Sequence, residues 1–164
     1  MDNEFHTVRG YQLLRQNNRL LTSAMEDYLE MIYRNTSGDG YFRINELADK
    51  LNVRASSATK MVQKLGQLGF IKYKRYGIIE LSESGEELGE YLLYRHKTIE
   101  KFLNMIGIDK NLLVETELIE HYISSNTLEH LELFIKFFTS NPDIQKRFSG
   151  YVNTNKKSEN ETST

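Results

Sequence analysis

Apolar residues at Leu21, Met25, Tyr28, Leu29 and Ile32 recur three and four positions apart, which predicts an amphipathic helix, with Ser23 and Glu26 spaced for a capping box at its start. The run SGDG at 37–40 ends it. Ile44, Leu47, Ala48 and Leu51 predict a second, short helix, and after a turn at Asn52–Arg54 the segment ASSATKMVQKLGQLGF predicts a third. Its Ala58, Met61, Val62, Leu65 and Leu68 form the stripe to be buried, while Ser57, Thr59, Lys60, Gln63 and Lys64 occupy the opposite face. The period then changes: IKYKR and GIIEL are short β-type runs around Tyr76–Gly77 and predict a hairpin. Two short helices joined by a tight turn and followed by a basic hairpin form a winged helix-turn-helix pattern.

Beyond Leu81 the pattern is helical almost to the end. Ser84 with Glu87 can cap a long helix reaching Met105, with Leu88, Leu92, Ile99, Phe102 and Leu103 among its apolar positions. A second helix is expected over 110–123, and Asn126 with Glu129 mark the start of a third, LEHLELFIKFF. There Leu128, Leu131, Leu133, Phe134, Ile135, Phe137 and Phe138 cover more than one face, which predicts a subunit interface. Pro142 marks a break before a short final helix, and the polar run 151–164 is expected to be disordered. The fold class is therefore mainly α. Its expected parts are an N-terminal extension at 1–20, a winged helix-turn-helix DNA-binding domain at 21–82, an all-helical domain at 83–150 and the tail.

Charge divides along the same line. Between Arg54 and Ile79 there are six basic residues and no acidic one, whereas Glu80 to Ile135 holds twelve acidic and four basic residues. The first stretch fits a polyanion, the second a different task. The candidates for DNA contact are Arg54, Ser56, Ser57, Thr59, Lys60, Gln63 and Lys64 on the third helix and its start, with Lys72, Lys74 and Arg75 on the wing.

The acidic part brings in chemistry. Asp27 and Glu30 in MEDYLE share a helix face, as do Glu117, Glu120 and His121 in ELIEHY, and His96 of YRHK stands between them. Carboxylates and imidazoles that converge repel or stay poorly solvated unless a cation neutralises them, so their convergence would make a divalent metal site. With no cysteine, any such ion is held by oxygen and imidazole, and disulfides and thiolate clusters are excluded. A hydrophobic content of 39% is enough for a core, and no apolar run reaches the length of a membrane span. The start, MDNEFHTVRG, lacks a basic region followed by an apolar one, so a cytoplasmic protein with no membrane partner is expected.

MEDYLEMIY, SSATKMVQKL, YRHKTIEKFL and ELIEHYIS, in this order, resemble the manganese transport regulator branch of the diphtheria toxin repressor family of metal-dependent transcriptional repressors. The resemblance covers residues 22–140. It implies an N-terminal winged helix that binds operator DNA, a helical domain that forms a homodimer, and metal between them that turns the protein into a repressor. It also implies metal ligands at Asp27, Glu30, His96, Glu117, Glu120 and His121, holding two Mn(II) ions per subunit, with Fe(II) or other divalent ions as substitutes in vitro. Iron-sensing relatives carry sulfur side chains at the positions of Asp27 and Glu117, so the carboxylates here imply manganese, a hard ion. An iron-responsive repressor of the same fold is the alternative. A binuclear hydrolase is the rival class, disfavoured because no spare general base and no glycine-rich phosphate loop accompany the ligands.

The first twenty residues match nothing in the resemblance. Phe5, Val8, Tyr11, Leu13 and Leu14 are expected to form a helix packed on a partner subunit, with Arg9, Arg15 and Arg19 touching phosphates. His6 and His130 read as ordinary side chains, not as ligands.

Overall fold

The computed structural model describes residues 2–17, 20–36 and 41–161, and the side chains among them except those of residues 2–7, of Arg75 and of those beyond Asn155. The expectations for Arg19, His6, Phe5, the SGDG turn and the Arg75 side chain lie outside this set. The chain forms two compact units, one up to Tyr94 and one from Arg95.

The first unit contains α1 (Asp2–Asn17), α2 (Ser23–Thr36), β1 (Phe42–Arg43), α3 (Ile44–Lys50), α4 (Ala55–Gln67), β2 (Ile71–Tyr73), β3 (Ile78–Leu81) and the first half of α5 (Glu83–Met105). The strands form an antiparallel sheet in the order β1-β3-β2, with Phe42 opposite Ile79 and Lys72 opposite Glu80. Leu29, Ile32, Leu47, Ala58, Val62, Leu65, Phe70, Ile79 and Leu88 are buried, which places the helical stripes predicted from spacing in one core. Met61 and Leu68 are only half-buried at the edge of the α4 stripe.

The turn between α3 and α4 has a local cause. Asn52 adopts φ 51°, Val53 N donates to Ala48 O at 2.9 Å and Asn52 N to Asp49 O at 3.1 Å, a Schellman ending that stops α3 and starts the next helix after two residues. α4 ends the same way at Gly69, with φ 84°.

The helix starts lie one or two residues before those expected from capping-box spacing. Thr22 Oγ1 accepts from Met25 N, Ser82 Oγ from Gly85 N, and Ser124 Oγ from Thr127 N, in place of Ser23, Ser84 and Asn126. Two or three Ser, Thr or Asn residues stand close together at each helix start, and the spacing alone does not choose among them.

Helix α1 packs on its own chain. A Cβ on Gly10 would lie 2.5 Å from the Glu87 carbonyl oxygen and 2.5 Å from Tyr91 Cβ, so the absence of a side chain lets α1 cross α5 at close range. Beside this crossing Arg9 Nε pairs with Glu87 Oε1 at 2.9 Å, and the Tyr11 and Tyr91 rings stand 5.8 Å apart. Arg9 thus has Glu87 as an ion-pair partner while its side chain stays half exposed, and Arg15 is exposed.

The second unit contains the rest of α5, α6 (Leu112–Glu120), α7 (Ser125–Ser140) and α8 (Pro142–Glu161). Ile99, Leu103, Leu128, Ile135 and Phe138 are buried, and Phe102, Phe134, Phe138 and Phe148 make a chain of ring contacts with centroids 5.2–5.7 Å apart. α8 continues to Glu161, beyond the point where a disordered tail was expected. Within it Thr154 and Asn155 donate side-chain hydrogen bonds to the carbonyls of Gly150 and Tyr151, one turn back. Leu133, Phe137, Leu113, Val114 and Leu118 remain more than half exposed, as an apolar face awaiting a partner would be.

Candidate functional site

The DNA-reading candidates all lie in the first unit. Arg54 is the N-cap of α4, and Ser56, Ser57, Lys60, Gln63 and Lys64 are exposed along it, because Ala58, Val62 and Leu65 turn the opposite face to the core. Thr59 departs from this set: it is half-buried and its hydroxyl donates to Ala55 O at 2.8 Å. On the wing Lys72 is exposed, whereas Lys74 Nζ lies 2.6 Å from Glu80 Oε1 on the neighbouring strand. Glu80 is a residue that sequence reasoning missed: the strand register sets it opposite Lys72, and its side chain reaches diagonally to Lys74, which local spacing does not show.

On α2, Glu30 is buried and Asp27 half-buried, three residues apart on one face. The Glu30 carboxylate forms an ion pair with Arg34, one turn further on. That arginine was legible at i+4 but carried no signal of its own.

In the second unit three of the four proposed ligands come together. His96 and Glu120 are 5% and 2% exposed, and His96 Nδ1 stands 2.9 Å from Glu120 Oε2. The other carboxylate oxygen lies 3.8 Å from Nε2 of His121, the C-cap of α6. Arg95 Nη2 is 3.5 Å from Nδ1 of His121. Glu117 is different. Thr116 and Glu120 share the buried face of α6, and Glu117 lies exposed beside it. His130 is exposed on α7 with Nδ1 2.8 Å from Asn126 O, as an ordinary side chain.

One buried carboxylate with an imidazole near each oxygen, and no sulfur ligand, is a donor set that fits a divalent ion taking oxygen and nitrogen. A winged helix-turn-helix in one unit and this cluster in the other define a metal-dependent DNA-binding regulator. Residues 20–79 match the iron dependent repressor N-terminal DNA binding domain, and residues 82–149 match the iron dependent repressor metal binding and dimerisation domain. The chain is 40% identical over 127 residues to the HTH-type transcriptional regulator MntR of Lysinibacillus sphaericus (strain C3-41), covering 77% of this chain and 91% of that protein. Its fold is similar to the manganese regulator SloR, with TM-score 0.60 and 28% identity over 69% of this chain and 54% of that one. The metal-dependent transcriptional regulator MtsR is also similar, with TM-score 0.64 and 27% identity over 71% of this chain and 55% of that one. The chain thus spans about half the length of these two solved structures. It belongs to the iron-dependent, or diphtheria toxin, repressor family, in the branch of the MntR-type transcriptional regulators, and is not an enzyme.

Proposed function

We propose that the protein is a manganese-responsive repressor that binds a palindromic operator as a homodimer in the cytoplasm and controls metal-uptake genes. The observation that carries the metal reading is the buried His96–Glu120 pair with His121 beside it, on the domain that the family uses for metal. Asp27 and Glu30 from α2, with His96, Glu117, Glu120 and His121 from α5 and α6, would hold two Mn(II) ions per subunit. The ions supply positive charge and a shared set of coordination bonds. The protein's part is electrostatic: four carboxylates that repel one another without a cation can be neighbours with one, which narrows the range of conformations open to the DNA-reading domain. Dimer symmetry then requires two half-sites about one helical turn, or a multiple of it, apart. Fluorescence anisotropy on a palindromic duplex selected by the chain itself, run with manganese, ferrous, zinc and calcium ions and with chelator, tests this. Manganese should tighten binding at least about tenfold over chelator. Equal binding in chelator would sink the sensor reading, and a preference for ferrous ion would favour the iron-responsive alternative.

The DNA candidates should separate by role. Gln63→Ala is expected to cost about 1–3 kcal/mol at particular base pairs, because an amide on the exposed face of α4 can pair with a base edge. Lys60→Ala should weaken binding with metal affinity unchanged. Lys72→Ala is expected to flatten the salt dependence by about one unit, as for the loss of one phosphate contact. Lys74→Ala should do less, since Glu80 already partners that lysine. Glu80→Gln should steepen the salt dependence, and equal slopes for the three wing variants would contradict this division.

A further inference from the structure

We infer that Tyr76, at the tip of the wing, is a DNA-contacting residue whose ring packs on the sugar-phosphate wall beside the groove read by α4. The inference rests on the DNA-binding reading above. Tyr76 is 90% exposed and holds φ 64° and ψ 23°, a left-handed conformation that bulky side chains rarely adopt. Gly77 follows with φ 72°, and Asn and Gly are the residues that enter the left-handed region most readily. The tip is nonetheless firmly seated. Lys74 N donates to Ile78 O at 2.8 Å, and a Cβ on Gly77 would meet Ile44 Cγ2 at 2.7 Å, so the loop rests on the buried first residue of α3.

The seating of Gly77 leaves Tyr76 directed away from the fold. An aromatic ring in water and a strained backbone are both unfavourable, and the first is relieved when the ring finds a surface. The surface offered is set by the neighbours: β2, which packs on α4, carries exposed Lys72, and α4 exposes Lys60, Gln63 and Lys64 in the same unit. All favour duplex DNA. A phenol suits the wall of a groove, where deoxyribose offers apolar surface and phosphate accepts from a hydroxyl. Such a contact positions the protein without reading sequence.

The test uses the full chain with manganese and a duplex that the wild type selects from a random pool. Tyr76→Asn is expected to bind this duplex about tenfold more weakly than wild type, the order expected when an aromatic ring loses an apolar surface to pack on. Its melting temperature should be equal or higher, because Asn suits the left-handed position. Tyr76→Phe, which keeps the ring, should stay within about threefold of wild type, well inside the 1.4 kcal/mol that a tenfold change represents. Neither change should alter the salt slope, because no charge is removed. Wild-type affinity in Tyr76→Asn would overturn the inference while leaving the DNA-binding reading intact. A fall in melting temperature alongside weaker binding would overturn it in favour of a structural role, and Tyr76→Phe as weak as Tyr76→Asn would overturn the assignment to the ring. A wild type that selects no duplex would sink both readings.

Discussion

Glu120→Gln is expected to lower manganese affinity by about a hundredfold or more, the scale on which breaking a buried charged pair acts. It should also abolish manganese-stimulated DNA binding. The substitution keeps the volume of a side chain that is 2% exposed and keeps an acceptor 2.9 Å from His96, so the chain should remain folded. What it removes is the negative charge between two imidazoles, the feature that makes the cluster attractive to a divalent ion. Glu117→Gln supplies the contrast. Glu117 is exposed on α6, where water can take its place beside an ion, so its loss should cost metal affinity only about tenfold, roughly 1.4 kcal/mol. Calorimetric titration with Mn(II), alongside thermal unfolding of each variant, separates the outcomes. Equal effects of the two changes would show that burial does not rank these ligands, and an unfolded Glu120→Gln would make the residue structural.

The second large effect is expected at Gly10→Val. Any β-carbon there meets the Glu87 carbonyl oxygen and Tyr91 Cβ at 2.5 Å, and neither is the far end of a flexible side chain. α1 must therefore move off α5, with an expected loss of about 1–3 kcal/mol, as for overpacking of a close contact. For a unit of this size that is a fall of about 5–15 °C in melting temperature. The Glu87 carboxylate would lose Arg9 as well, and its Oε2 is already buried without a hydrogen-bond partner among the described residues. Deleting residues 1–20 should destabilise by more. In either variant the ratio of DNA affinities with and without manganese should stay within about threefold, because all six proposed ligands lie beyond the deletion. Unchanged unfolding temperatures would show that α1 does not dock in solution, and a folded, manganese-blind deletion variant would make the extension part of the switch.

Much of the candidate site is legible in the order of residues. Three- and four-residue spacing identifies the buried stripes of α2 and α4, because a helix repeats its face every 3.6 residues whatever surrounds it. The exposed Lys60, Gln63 and Lys64 follow as the complement of that stripe. The Tyr76–Gly77 hairpin is readable from two β-type runs flanking a glycine, since local turn chemistry depends on few residues. The donor types are readable too, as the absence of cysteine confines any metal to oxygen and imidazole ligands.

Other features depend on atoms that local spacing does not bring together. Spacing puts Glu117 and Glu120 on neighbouring parts of one helix surface, and only packing decides that Glu120 is buried beside His96 while Glu117 faces solvent. Lys72 and Lys74 look equivalent in the sequence; Glu80 lies opposite Lys72 in the strand register, yet its carboxylate pairs with the diagonal neighbour Lys74, which only the folded hairpin decides. α1 is expected from its sequence on a partner subunit, and the close approach at Gly10 sets it against α5 of its own chain. The sequence by itself determined which chemistry this protein carries and the local elements that bear it, because those follow from side-chain type and helical or strand period. The tertiary structure alone decided which charges are paired and which are exposed, because burial and pairing are set by long-range packing, to which local spacing is blind.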